Sequence, residues 1–286
     1  MSDRTKALLF INLSVLTGFS GPLYKAIGFS VTVTAAGRAI FSALALLVFT
    51  LAVHRSIRIQ SKRELLAFVL GGMIQTVHWL STIASTKYST VALGTMLFST
   101  FPLFIIFLEP ILFKTKFRSI NFLFAIMIIA GVAIMMPNLD FKNRYMSGMA
   151  AGIASSLTYA LLVLNNKQSC TFAEPLTVVL YNHLFASLFL CCAVFFSGES
   201  ISLNPHDLIL TAVLGVVATA LSYTFFVASL KNLSAQVAGI CSMFESVYGI
   251  LLAFLFLHEI PSVRECIGGS VILITIIIFQ MRQKQM

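Results

Sequence analysis

The sequence predicts an all-α polytopic membrane protein with ten transmembrane helices arranged as two inverted five-helix repeats. Three observations carry that prediction. Of 286 residues, 58% are hydrophobic and only 10% are charged, whereas a soluble surface needs about 25–35% charged residues. Long apolar runs follow one another with short connections, and each run can cross a ~30 Å hydrocarbon core at ~1.5 Å per residue. The chain also matches itself at a fixed offset, described below.

The runs cover about 6–24, 32–53, 64–85, 89–112, 119–137, 146–165, 175–197, 206–229, 234–257 and 263–281. Arg4 and Lys6 ahead of the first run mimic a signal peptide. That run outlasts the usual apolar region and lacks a small-x-small cleavage site, so it reads as the first membrane helix. It contains Gly18, Gly21 and Pro22, and the fourth run contains Pro102. Such breaks are tolerated in lipid where a neighbouring helix or a cavity satisfies the freed backbone groups. In the sixth and tenth runs, Gly148 with Gly152 and Gly268 with Gly269 offer close helix approach. The ninth, Ala235 to Leu257, holds Glu245 near its middle. With no inserted soluble stretch, residues 1–286 form a single integral membrane domain.

Lys and Arg set the orientation. Thirteen fall at the termini and in loops 2–3, 4–5, 6–7 and 8–9, against Lys25, Lys87, Lys142, Arg144 and Arg264 on the opposite side. Both termini are therefore predicted to be cytoplasmic. The expected location is a bacterial cytoplasmic (inner) membrane.

Sliding the chain by 144 residues aligns Val69-Leu70-Gly71 with Val213-Leu214-Gly215, Ala84-Ser85 with Ala228-Ser229, and Lys87 with Lys231. Repeat one is about 6–137 and repeat two about 146–281. Five spans per half is an odd number, so the halves insert with opposite topology. That arrangement belongs to alternating-access carriers, whose substrate site lies at the midplane between the halves.

Several classes are excluded. The net charge of +9 sits in short loops and not on a basic face, so no nucleic-acid partner is expected. The five cysteines form no CxxC and have no His at ligand spacing, so no metal or cofactor is expected. No HExxH and no cluster of carboxylates argues for an enzyme. No filter-like loop argues for a channel.

The chain resembles the drug/metabolite transporter superfamily, in its EamA-type ten-helix branch. The first half reads Ala84-Ser-Thr-Lys-Tyr-Ser-Thr-Val-Ala92 into Phe98-Ser-Thr-Phe-Pro102. The second reads Ala228-Ser-Leu-Lys-Asn-Leu-Ser-Ala-Gln236 into Phe244-Glu-Ser-Val-Tyr-Gly249, then Leu257-His-Glu259. Where the family usually has Glu-Pro, this chain has Glu245-Ser246, which predicts a straighter helix there. The resemblance implies a ten-helix fold and solute transport without fixing the solute.

Glu245 leads the candidate site residues. A charge at mid-bilayer costs at least ~2.5–3.5 kcal/mol, so it needs a polar cavity or partner. It could carry a proton or meet a substrate ammonium; the alternative is a structural carboxylate bonded to a hydroxyl. Arg38, which resembles an Arg common at this place in the family, could fork onto a substrate carboxylate or clamp Glu245, or else snorkel outward. Asn182 is its mate at the repeat offset and is followed by His183. His78 and His183 are candidate proton relays, Trp79 a pocket wall, and Tyr223 and Tyr248 hydroxyl donors, with packing as the alternative for each.

The expected function is alternating-access secondary transport of a small polar, amino-acid-like metabolite, with export favoured. Arg38 with Glu245 suits a zwitterion. Uptake of an adenine-bearing metabolite such as S-adenosylmethionine is the alternative, since the aromatic supply could stack a base. Drug efflux is disfavoured because the first helix carries Asn12 and Ser14 but no acid. The expected partners are a small-molecule substrate, the lipid bilayer and protons as candidate coupling ion, and a monomer would suffice.

Overall fold

The computed structural model describes residues 6–7, 9–10, 13–55, 57–114, 120–135, 144–199, 204–233 and 235–284. Asn12, and Arg4, Lys116, Arg118 and Lys142 of the orientation tally, lie outside them.

Among the described residues all regular structure is helical, and ten helices follow in order. Helix α1 is α-helical at the described residues 6–7, 9–10 and 13, passes through a 3₁₀ segment, Ser14–Phe19, and continues as Ser20–Ala26. Next come α2 (Val31–Ala52), α3 (Lys62–Tyr88) and α4, which runs in two pieces, Val91–Phe98 and Phe101–Phe113. They are followed by α5 (Ile120–Met135), α6 (Arg144–Ser169) and α7 (Pro175–Ser197). Helix α8 comprises Pro205–Gly215, a π-helical stretch Val216–Leu221, and Ser222–Leu230. The last two are α9 (Ala235–Leu257) and α10 (Val263–Lys284). Among the described residues six helices, α2, α3, α4, α6, α7 and α8, are long and apolar enough to cross a membrane.

The helix starts follow from the sequence. Ser30, Ser61 and Thr90 each accept a hydrogen bond from the backbone N–H three residues on, and Pro175 and Pro205 open α7 and α8. Two of the ends are unusual. Lys114 closes α4 and His258 closes α9, each at a left-handed φ of 53°. These residues are mates at the 144-residue offset, so the two halves end equivalent helices alike.

Polarity is inside-out relative to a soluble fold. Phe195 and Phe196 are 80% and 82% exposed on the rim of the bundle, whereas Arg38, Gln75, His78, Asn182 and His183 are buried. A lipid-facing surface accounts for both facts.

Helix pairings come in matched sets. The α3–α6 contact is matched by α8–α1, α3–α7 by α8–α2, and α4–α6 by α9–α1. The contacts α2–α7, α4–α9 and α5–α10 are matched by themselves. Small residues set the closest approach, as expected from the glycine pairs. A Cβ on Gly268 of α10 would lie 2.4 Å from the Gly131 carbonyl oxygen of α5.

Pro102 breaks α4. It has no N–H to give the Phe98 carbonyl four residues back, and the Ser156 hydroxyl of α6 points to that oxygen at 3.4 Å while bonding the Thr100 hydroxyl at 2.8 Å. Its offset mate is Ser246, and there α9 runs unbroken, as the sequence predicts.

Candidate functional site

The first piece of α4, the 3₁₀-to-α junction of α1 and the start of the last piece of α8, just past its π-helical stretch, border one polar cavity. Thr17, Ser20, Gly21 and Tyr24 line it from α1 and Arg38 from α2. His78, Thr82 and Thr86 come from α3, Gly94, Thr95 and Phe98 from α4, Tyr159 from α6, Tyr223 from α8 and Glu245 from α9. Only about 30 Å³ is left for the centres of water-sized molecules, which holds a water or two. Metabolite sites need several hundred Å³, so the cavity in this structure is too small to hold a metabolite.

Arg38 is buried and held from three directions. Its Nε donates to Thr219 Oγ1 at 2.7 Å, its Nη1 donates to the Tyr24 hydroxyl, and its guanidinium lies 4.7 Å over the Trp79 ring. Thr219 reaches it because the π-helical register turns the hydroxyl inward while Oγ1 donates to the Leu214 carbonyl five residues back at 2.6 Å. A single π-turn inside an α-helix commonly marks a functional position.

Glu245 enters from the opposite wall. Its carboxyl has the Thr17 hydroxyl as hydrogen-bond partner, and Arg38 acts on it through the field across the cavity. Gly18 makes this fit, since a Cβ there would lie 3.1 Å from the Glu245 carbonyl oxygen.

His78 Nδ1 lies 3.1 Å from the Ser155 carbonyl oxygen. A carbonyl only accepts, so this contact is a hydrogen bond in the forms of His78 that carry a proton on Nδ1. The His78 and Tyr159 rings are 4.9 Å apart, Phe98 and Tyr159 4.9 Å, and Tyr159 and Tyr223 6.2 Å. Together they form an aromatic wall of the cavity.

Of the residues expected from sequence, Arg38, His78, Tyr223 and Glu245 therefore meet at one cavity. Trp79 and His183 lie behind Arg38 with ring centroids 5.1 Å apart. Among the described residues, neither His183 ring nitrogen nor Trp79 Nε1 has a hydrogen-bond partner. Asn182 is buried away from the lining and donates to Asn166 Oδ1 at 2.7 Å. Tyr248 is 49% exposed on the outside of α9 and takes no part in the lining. Sequence reasoning missed Tyr24, Thr17, Thr82, Thr86 and Thr219. A signal for some of these existed: His78, Thr82 and Thr86 recur every four residues, which places them on one helix face.

Fold and cavity together describe a multi-pass helical membrane protein with a polar cavity inside the bundle. The sequence profile of the EamA-like transporter family matches twice, over residues 4–136 and 146–281; the chain belongs to that family. A relative from Archaeoglobus fulgidus described as an uncharacterized transporter is 25% identical over 226 residues, 76% of each chain. A solved crystal structure of a protein 14% identical superposes with a TM-score of 0.73 over 99% of each chain. At that identity the likeness speaks for the fold alone.

Proposed function

We propose that this protein is an alternating-access secondary transporter of a small zwitterionic, amino-acid-like metabolite, with export as its direction. The observation that carries the reading is one small cavity lined by a guanidinium from α2, a carboxyl from α9 and aromatic rings. A zwitterion would present its carboxylate to the Arg38 fork and its ammonium to Glu245. His78 and Glu245 are the groups that would pass a coupling proton.

The framework for this reading is ten spans in two inverted repeats, about 6–137 and 146–281, with both termini on the cytoplasmic side of a bacterial inner membrane. It is supported by the two family matches, the matched helix pairings, and the paired left-handed ends at Lys114 and His258. The Lys and Arg tally supports the orientation.

A second reading is uptake of an adenine-bearing metabolite such as S-adenosylmethionine. The observation favouring it is the ring wall of His78, Phe98, Tyr159 and Tyr223, whose 4.9–6.2 Å centroid spacings suit aromatic contact.

The test is a thermal-shift panel of amino acids, other zwitterions and adenine-bearing metabolites, followed by counterflow in proteoliposomes. A ligand at ~100-fold its Kd adds about 2.7 kcal/mol of stability. Amino-acid counterflow supports the first reading and adenine-metabolite counterflow the second. Steady flux without counterflow would show a channel and sink both.

A further inference from the structure

At both ends of the bundle lysines reach across helix turns, and the turns they join correspond at the 144-residue offset, as do Lys87 and Lys231 though not Lys25 and Lys167. At one end, Lys25 at the end of α1 donates to the Ser89 carbonyl in the α3–α4 turn. In return Lys87, at the end of α3, donates to the Ile27 and Phe29 carbonyls in the α1–α2 turn, both at 2.6 Å. At the other end, Lys167 of α6 donates to the Leu233 carbonyl in the α8–α9 turn at 3.0 Å. There Lys231, at the end of α8, pairs with Glu174 in the α6–α7 turn at 3.2 Å. The offset that relates Lys87 to Lys231 also relates Ser89 to Leu233 and Ser30, next to Phe29, to Glu174.

Sequence alone places these residues in loops, where lysines read as topology signals. The contacts give them a second task. Each end joins the turn after the first helix of its half to the turn after the third, so widening the cavity toward either end must break the contacts there.

The two sets are not equally firm. Lys87 is partly buried and satisfied by two backbone carbonyls, and the same α1–α2 turn is also held by Asp207, which accepts from the Gly28 N–H at 3.1 Å. Lys231 and Glu174 are 48% and 64% exposed, and pairs so open to water are weak and screened by salt. The space around the turns differs in the same sense. The recess beside Lys231 and Glu174 leaves about 890 Å³ for water-sized molecules, against about 400 Å³ beside Lys25 and Lys87.

We propose that Lys25 with Lys87, and Lys167 with Lys231 and Glu174, are the two gate latches of the transport cycle, and that the Lys231–Glu174 end opens more readily. The proposal rests on the alternating-access reading. It assigns these five residues to the conformational step and leaves substrate recognition to the cavity.

The test uses the full-length protein in membrane vesicles with native cysteines replaced and Thr95→Cys as a reporter in the cavity. A membrane-impermeant maleimide is applied to each side in turn. With intact latches the reporter should label from both sides, faster from the Lys231 side. Lys25→Met and Lys87→Met should each raise labelling from their own side about tenfold and lower it from the other. Lys167→Met and Lys231→Met should do the reverse, about two- to threefold for Lys231→Met.

The exchange Glu174→Lys with Lys231→Glu should restore the unmodified rates, and Lys87→Arg should leave them unchanged. If one latch variant fails to reach the membrane, its reciprocal partner at the same end is read instead, since both bridge the same two turns. Labelling from one side only with intact latches would overturn alternating access itself. Labelling from both sides that the variants leave unmoved, or move in the same direction at both ends, would overturn the latches alone.

Discussion

Arg38 and Glu245 face one cavity from α2 and α9, yet they share no hydrogen bond among the described contacts. Arg38 gives its N–H groups to Tyr24 and Thr219 and stacks on Trp79, while Glu245 has Thr17. A direct ion pair would have to be broken before either charge met a ligand, at a cost the ligand would have to offset. Held apart by separate partners, the two charges remain available to a molecule that carries both signs.

The support around Arg38 suits a planar fork and no other cation. Arg38→Lys keeps the charge but loses the Thr219 bond geometry and most of the stacking on Trp79, worth about 0.5–2 kcal/mol. The expected result is a KM for transport raised roughly tenfold, with the protein folded and in the membrane. An unchanged KM would remove Arg38 from the binding machinery.

Glu245→Gln keeps the shape and a partner for Thr17 but removes the charge. Ligands with an ammonium group should lose about tenfold or more in affinity by thermal shift, while analogues without the amine should bind as before. Proton-driven transport should also lose its pH dependence. If affinity and pH response both match the unaltered protein, Glu245 is a structural carboxylate.

Much of this is legible in the sequence for identifiable reasons. An intramembrane charge needs a cavity or a partner, so residue type and depth put Arg38 and Glu245 forward, with outward snorkelling of Arg38 and a structural Glu245 left open. Pro102 announces the break in α4, and Ser246 at the equivalent position announces its absence in α9. Tyr248 shows the limit. Helix α9 is apolar nearly all round, so no periodic pattern tells which face turns inward, and its tyrosine points to the outside. Thr219 is hidden for another reason: it reaches Arg38 through a π-helical register that packing creates and composition does not mark. Asn182 and His183 have the right depth but the wrong rotation, and they lie behind the lining.

His183 sits in this structure at a cost. Both ring nitrogens are buried and lack partners among the described residues, and each such group costs about 1–3 kcal/mol. His183→Phe keeps the ring contacts with Trp79 and Tyr223 and deletes the polar atoms. It should raise the unfolding midpoint measured in detergent. Transport should fall if the imidazole finds its partners in another state of the cycle, because stabilising one state slows exit from it. A variant that is less stable would show that His183 already has a partner, such as a bound water.

The link between Pro102 and Ser156 permits a closed mutant cycle. Ser156→Ala removes the hydroxyl that serves both the Phe98 carbonyl and Thr100; Thr100 keeps its bond to the Leu97 carbonyl, and the Phe98 carbonyl is left unmet at about 1–3 kcal/mol. Pro102→Ala restores the backbone N–H that can reach the Phe98 carbonyl, so the serine should matter less in that background. The double variant should therefore be more stable than the sum of the two single effects, by about 1 kcal/mol, read from thermal or denaturant unfolding. Strict additivity would show that Ser156 serves Thr100 alone and that another group satisfies the break. Transport gives a second reading of the same cycle. Straightening α4 at Pro102 moves Phe98 and Thr95, both on the cavity wall, so Pro102→Ala should slow turnover even where it leaves the protein as stable as before.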